Sequence, residues 1–569
     1  MAKMTTEEHV QSIREGYSFD GLAVHLGAAL VDGQVHSDAQ VRLPLRMMNR
    51  HGLVAGATGT GKTITLQLMA EQLSGHGVPV FLADIKGDLT GLSTPGTPTE
   101  KLSARTASVG MDWQAKTFPV EYYSLGGDGQ GIPIRATVSS FGPLLLSRIM
   151  DLNETQESCL QLIFHYADTK NLELHDLKDL RAVIQYLTSD EGKSELEGLG
   201  GVSKATAGVI LRELVTLQAQ GLEAFFGEPE FDTAELLRQA PDGRGILSVL
   251  ELPTLMQKPL LFSTFMIWLL ADLFSELPEV GDAEKPKLVF FLDEAHLLFN
   301  GASKAFLSSI TSTVRLIRSK GVGVFFVTQT PKDVPGEVLG QLANRVQHAL
   351  RAFTPDDAKA LKATISTFPT SNYDLDAALT QAGTGEAVVT VMNEKGAPTP
   401  VAWTRMWSPE STMGPSKPEV VSGIIGSSAL MQVYGTATDR ESAYEKLNAA
   451  AGTAVPDQVP TGGSVAARVP GPGQSQADID AAARQIEESI LGRPSSIPHS
   501  APGPGANDYA MPESTVATKK APGRAPSAPT SDPKPDNPML DMAMQAANMI
   551  GSELLRGMFG TKRRRRRRR

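Results

Sequence analysis

Up to about residue 410 the chain alternates short apolar, β-branched runs with longer segments whose apolar residues recur at helical spacing. The runs His51–Ala55, Val78–Ala83, Gly245–Leu250, Leu288–Leu292, Val322–Thr328, Val346–Arg351 and Ala387–Val391 read as strands. They are apolar almost throughout rather than at every second position, as expected of strands covered on both faces. Strands separated by helical stretches predict an α/β fold with a mostly parallel sheet. Between about Phe141 and Ala240 the pattern becomes helical, in LLLSRIMDLNETQESCLQLIFHYADTK and SKATAGVILRELVTLQAQGLEAFF, and strand runs resume afterwards. This stretch reads as a helical insertion. The longest apolar segment, Leu260–Phe274, is too short to cross a bilayer and contains Asp272, so a buried helix is expected there.

From about Pro415 to Asn537 the chain is rich in Pro, Gly, Ser and Ala, with too little apolar surface to offset the entropy of ordering, so linker and disorder are expected. Two islands interrupt it or follow it: Gln474–Leu491 with helical spacing, and Met539–Phe559, a Met-rich amphipathic helix that runs into the terminal arginines. The resulting division is a lead-in over 1–50, a core in two parts (51–140 and 241–414), a helical insertion over 141–240, a linker over 415–538, and a helix with an arginine tail over 539–569.

Charge adds a second contrast. The net charge is −10, yet Lys562 and the seven arginines Arg563–Arg569 are all positive, so everything before them is more acidic still. An acidic body with a concentrated basic end has two surfaces of opposite electrostatic preference. Such a body does not wrap nucleic acid by bulk charge. The single cysteine, Cys159, cannot form an internal disulfide and fits a reducing compartment as a bland buried thiol. The first residues, MAKMTTEEHVQSIREG, show no apolar signal segment, and a cytoplasmic location is expected.

Candidate chemistry begins at Gly56-Ala57-Thr58-Gly59-Thr60-Gly61-Lys62-Thr63, which follows an apolar run and precedes the helical pattern ITLQLMAEQL. This is the full G-x-x-x-x-G-K-[ST] pattern in its required strand–loop–helix setting. Its glycines let backbone N–H groups turn toward phosphate oxygens, and the helix N-terminus adds partial positive charge. Lys62 would reach the β- and γ-phosphates, and the Thr63 hydroxyl would ligate Mg²⁺.

The run Leu288–Leu292 ends in Asp293-Glu294. A carboxylate in Asp293's place can hold the Mg²⁺ shell, and its neighbour Glu294 can orient or deprotonate the attacking water. This pair favours a hydrolase over a kinase. Asp84, at the end of VPVFLAD, either joins the same cleft or begins a turn with Lys86, Gly87 and Asp88. Gln329 ends the run VGVFFVTQ. A polar residue at the carboxyl end of a central strand points to the ligand crevice, where it would sense the γ-phosphate; otherwise it caps the next loop.

The order GATGTGKT, VFFLDEAHLLF, VRLIRSKGVGVFFVTQTPKDVP, LANRVQHALRAF resembles the bacterial HerA-like ATPases of the YjgR type, within the HerA/FtsK group of RecA-like motors, over roughly residues 18–410. The resemblance implies a RecA-like fold, ATP with Mg²⁺ as ligands, and a ring-forming, hexameric homo-oligomer related to DNA-pumping motors. ATP rather than GTP also fits the lack of an [NT]-K-x-D guanine-reading motif. In that group arginines of a neighbouring subunit complete the site; Arg315 and Arg318 match the corresponding stretch, with Arg345 a third candidate, and each reads equally as a solvent-facing arginine. The residues before Gly56 leave little room for the N-terminal β-barrel of archaeal members, and a nuclease partner is left unassigned. Asp293-Glu294-Ala295-His296 also spells the motif of DEAH-box helicases, but their Q-x-x-G-R-x-x-R motif is missing.

The arginine tail would attract polyanions in a sequence-independent, salt-sensitive manner. With Met542, Met549, Ile550, Leu554 and Met558 on one face of the preceding helix, DNA, an anionic membrane surface or another subunit all fit as its contact. Two functions therefore stand beside each other: a DNA translocase or helicase-like motor, and an ATPase that remodels proteins or acts as a switch without DNA.

Overall fold

A computed structural model of the chain describes residues 4–450, apart from 127–128, 253–257, 282, 301 and 303. The linker beyond 450, the island Gln474–Leu491 and the Met-rich helix with its arginine tail lie outside the described residues.

Twelve strands form one sheet. They are β1 (Ala23–Val31), β2 (Gln34–Pro44), β3 (Gly52–Ala55), β4 (Val80–Asp84), β5 (Val120–Leu125), β6 (Ile132–Ile134), β7 (Leu247–Glu251), β8 (Leu288–Leu292), β9 (Val322–Thr328), β10 (Asn344–His348), β11 (Glu386–Thr390) and β12 (Ala402–Met406). Their spatial order is β2-β1-β12-β11-β10-β3-β9-β8-β4-β7-β5-β6. From β10 to β6 every neighbouring pair is parallel. From β10 to β2 every pair is antiparallel. The sheet is thus mixed and mostly parallel, and the RecA-like α/β architecture implied by the resemblance is the one observed.

Apolar runs without alternation bury both faces of the parallel strands, as their composition requires. Phe81, Phe290 and Phe326 face one core, and Leu82, Phe291 and Val327 face the other. The second core is capped by α1 (Thr6–Gly16) and by α2 (Lys62–Gly75), whose Leu66, Met69 and Leu73 are buried; α3 (Glu100–Ser108) lies between β4 and β5 in the chain. The first core is covered by α4 (Val138–Ile149), α5 (Glu154–Thr169), α6 (Leu177–Thr188) and α7 (Lys204–Ala219), which make up the helical insertion, and by α8 (Pro259–Glu276). In α8 the residues Leu261 to Ala271 are buried without a break, so the helix is surrounded on all sides, and Pro259 sits in its first turn where no N–H is needed. Capping boxes start α1, α5 and α6 at Thr5, Asn153 and Asp176. Cys159, on α5, is half-buried against this core rather than enclosed.

Beyond β8 come α9 (His296–Phe299), α10 (Lys304–Ile317) and α11 (Gly336–Leu339). A smaller core packs α12 (Pro355–Ile365) and α13 (Leu375–Gln381) on β11.

Two divisions drawn from composition are corrected. Residues 1–50 are not a mere lead-in: β1 and β2 form a hairpin that extends the sheet. Its turn is Asp32-Gly33, with φ of 48° and 76°, between the paired Val31 and Gln34. Two left-handed residues of this kind match the right-handed twist of the flanking strands. The linker does not begin at 415 either. Residues 418–450 form α14 (Pro418–Ser427), α15 (Ala429–Tyr434) and α16 (Ala443–Ala450). Val421, Leu430, Tyr434 and Ala443 are buried, widely spaced anchors in an otherwise polar and small-residue segment. Tyr434 shows how one anchor suffices: its ring lies 5.2 Å from Phe231, and its carbonyl accepts from Arg135 at 2.8 Å.

Candidate active site

The phosphate-loop strand β3 and the acidic strand β8 are not neighbours: β9 lies between them. At about 4.8 Å per strand this sets their carboxyl ends roughly 10 Å apart, enough for a phosphate, a hydrated cation and a water between them. Gln329 follows β9 directly and is exposed at this edge. The loop residues, the acidic pair and Gln329 are therefore gathered at the carboxyl edge of three adjacent parallel strands. That is where the crevice of such sheets lies.

The loop Gly56–Gly61 is fixed from both sides. Gly56 N–H donates to Thr328 O (3.2 Å) on β9, and Ala57 N–H donates to Ala349 O (2.8 Å) just past β10. Gly385 N–H, in the turn before β11, donates to Thr60 O (2.9 Å). At Gly56 the φ is 156°, and a Cβ would come 2.5 Å from the Cβ of His348, so only glycine fits the approach. Thr58 and Gly59 form the exposed crest of the loop. Lys62 opens α2 and is buried; its Nζ donates to Gly56 O (2.7 Å) and Ala57 O (3.2 Å). Burial pulls its pKa below the ordinary lysine value, against the Glu294 and Asp293 carboxylates, which raise it. A phosphate oxygen would offer this ammonium the same hydrogen-bonding chemistry with a full charge. Thr63 is half-buried beside it.

His348 joins the loop helix to the neighbouring strands. It is fully buried, with Nε2 2.9 Å from Thr65 Oγ1 and Nδ1 2.9 Å from Glu386 O. Burial drives its pKa down to about 4, so it is neutral near pH 7.

Asp293 and Glu294 are both buried. Asp293 Oδ1 accepts from Glu294 N–H at 2.9 Å. Burial raises the Asp293 pKa to about 6, opposed by that N–H bond and reinforced by the Glu294 charge. Glu294 has a φ of 45°, an unusual backbone for a residue with a side chain. Its Oε1 accepts from Lys86 Nζ at 2.7 Å, and Oε2 is buried with no hydrogen-bond partner. His296 Nδ1 stands 3.4 Å from that second oxygen without a hydrogen bond. Burial pushes the Glu294 pKa up, but the hydrogen bond and charge of Lys86, with help from His296 and Lys62, outweigh it and hold the carboxyl below its ordinary value.

The donors near Lys62 also fit a hard cation. A hydroxyl at the start of α2 and a carboxylate at the end of β8 are the oxygen ligands Mg²⁺ takes when phosphates and waters fill the rest of its shell.

Asp84 resolves toward the turn. Its carboxylate accepts from the backbone N–H groups of Lys86 (3.2 Å), Gly87 (2.8 Å) and Leu89 (2.8 Å), and so shapes the loop after β4. Lys86 is the site residue that sequence reasoning missed: it appeared only as a member of that turn. The signal was its place two residues beyond an apolar strand, since residues just past the carboxyl ends of central strands face the crevice.

The arginines stand elsewhere. Arg315 is exposed near the end of α10, and Arg318 is exposed in the turn that leads into β9. Arg318 precedes Val322, the first residue of β9, which pairs with Leu288, the first residue of β8. That is the amino edge of the strands, across the sheet from the loop of the same chain. Arg345 lies on β10, and its guanidinium donates to Thr367 Oγ1 and to Thr367 O at 3.4 Å.

The family described as Helicase HerA-like C-terminal matches residues 30–497. Among solved structures, the unbound monoclinic form of the bacterial conjugative coupling protein TrwB aligns with 72% of this chain and 94% of its own, at 16% identity and a TM-score of 0.48. TrwB in complex with the non-hydrolysable ATP analogue ADPNP gives 72%, 94%, 15% identity and 0.48. VirB4 of Thermoanaerobacter pseudethanolicus gives 70%, 98%, 13% identity and 0.43. No curated protein matches the sequence.

Proposed function

This chain belongs to the Helicase HerA-like C-terminal family, and from that premise we propose that it hydrolyses ATP with Mg²⁺ at the Lys62/Glu294 site and works as a ring-forming, hexameric motor on DNA. The observation that carries the hydrolytic reading is Glu294: a buried carboxylate with one oxygen held by Lys86 and the other without a hydrogen-bond partner, one strand removed from a complete phosphate loop.

Lys62 and backbone N–H groups of the loop beyond Ala57 bind the β- and γ-phosphates. Thr63 and Asp293 would hold Mg²⁺, which would screen phosphate charge. The Glu294 carboxylate accepts the proton of the attacking water. Gln329, just past the strand between loop and acid, registers the γ-phosphate. Arg315 or Arg318 stabilises the developing charge from a neighbouring copy, because Arg318 stands at the opposite edge of its own sheet. This supports a ring in which each site is completed in trans.

The acidity of the chain before its arginine tail favours a second reading, an ATPase that acts on protein. Steady-state hydrolysis with and without long double-stranded DNA, at two salt concentrations, separates the two. Stimulation that survives deletion of Arg563–Arg569 supports a DNA motor whose core engages the substrate. Hydrolysis indifferent to DNA supports the protein-directed enzyme.

A further inference from the structure

We propose that Lys86 is a positioning residue for Glu294: its ammonium clamps one carboxylate oxygen and so fixes the orientation in which the carboxylate meets the reacting water. This rests on the reading of Glu294 as the group that activates water.

A glutamate side chain has three rotatable bonds, and a base that must meet one water needs them restrained. Among the described residues the hydrogen bond that restrains the Glu294 carboxylate is the 2.7 Å bond from Lys86 Nζ to Oε1, and His296 Nδ1 comes no nearer to Oε2 than 3.4 Å. The loop that delivers Lys86 is itself constructed. Asp84, 2% exposed, ties three backbone N–H groups of that loop, and Gly87 takes a left-handed φ of 74° that lets the chain turn back at once. Lys86 is thereby fixed beside the acidic strand, since β4 pairs directly with β8 and Ala83 lies opposite Leu292.

The pair is poorly explained as a stability device. The Lys86 side chain is 44% exposed, and such half-solvated pairs contribute at most about 1 kcal/mol. Against that stand a carboxylate only 8% exposed and a backbone at φ 45°, a conformation that costs on the order of 1 kcal/mol or more for a residue with a Cβ. An arrangement that costs stability at a reactive carboxylate is accounted for by the fixed orientation of that carboxylate. The other function open to Lys86 is direct phosphate binding, since it lies close enough to Lys62 and Asp293 for its charge to influence both.

The test compares K86M, K86R, E294Q and K86M/E294Q in the full-length protein. Turnover is measured with ATP, and binding is measured by calorimetry with ATPγS and Mg²⁺. K86M is expected to lower kcat at least tenfold with KM and Kd within twofold of the wild type. K86R, which keeps the donor, recovers most of the loss. On the E294Q background K86M costs nothing further, because both changes remove the same act. Undiminished turnover in K86M, a loss of affinity equal to the loss of kcat, or additive losses in the double variant would each overturn the proposal. Wild-type turnover in E294Q alone would instead remove the catalytic reading of Glu294 beneath it.

Discussion

On one side of His348 the sheet runs parallel from β3 to β6; on the other it runs antiparallel through β11, β12, β1 and β2. The parallel side brings the ends of β3, β9, β8 and β4 to one edge, and there stand Lys62, Gln329, Asp293, Glu294 and Lys86. Strands that alternate in direction cannot gather their carboxyl ends in this way. The antiparallel side supplies a wall instead. Its turn at Gly385 bonds Thr60 O from below the loop, and Arg105 Nη2 in turn donates to Gly385 O at 2.7 Å. One half of the sheet thus carries the candidate catalytic groups and the other holds the loop steady. The buried imidazole of His348, bonded to α2 on one side and to β11 on the other, sits at the seam.

This division can be broken from either side. Lys62→Ala removes the charge from the parallel edge and is expected to weaken ATP binding by roughly two to three orders of magnitude with little change in thermal stability. Calorimetry of nucleotide binding beside a melting curve checks both halves of that statement.

The seam should respond to pH. His348 has its folded pKa depressed to about 4 from an ordinary 6.5, so the unfolded chain binds the extra proton first. The resulting stability is present above pH 6.5 and is lost as pH falls toward 4, by on the order of 3 kcal/mol at most. Urea midpoints measured between pH 7 and 4 should fall, and His348→Gln should flatten part of that slope. The raised Asp84 and Asp293 carboxyls oppose the trend between about pH 4 and 6, so the histidine share is read from the difference between the two proteins.

The smallest effect belongs to the wall. A Cβ on Gly27 would lie 2.1 Å from Arg405 O across the β1–β12 pair. Gly27→Ala should cost about 1–2 kcal/mol of stability while leaving the nucleotide Kd of the folded protein unchanged. A parallel loss of affinity would show that the two halves are not separable.

The same contrast explains what was legible in the residues. Strands β8 and β9 were read to the residue because continuous apolar runs bounded by polar ends have few other interpretations. The hairpin β1–β2 was missed: β2 exposes much of its first half, and irregular register near Gly27 breaks any simple alternation. Its turn Asp32-Gly33 was nonetheless a usable signal. Residues 418–450 read as linker because their buried anchors are sparse, and sparse anchors show only once the surface they meet is known. At the site, the loop and the acidic pair are contiguous motifs and could be named from the chain alone. Lys86 and Glu294 are 208 residues apart, and their meeting depends on β4 lying beside β8, which the order of motifs along the chain does not state.

The most direct test of the central claim is single-turnover ATP hydrolysis by Glu294→Gln beside the wild type, with ATP affinity measured on the same samples. If Glu294 activates the water, binding is retained and the hydrolysis rate falls roughly a hundredfold or more. Hydrolysis at the wild-type rate by a variant that binds ATP normally would contradict that role, and would place the activating base elsewhere on the carboxyl edge.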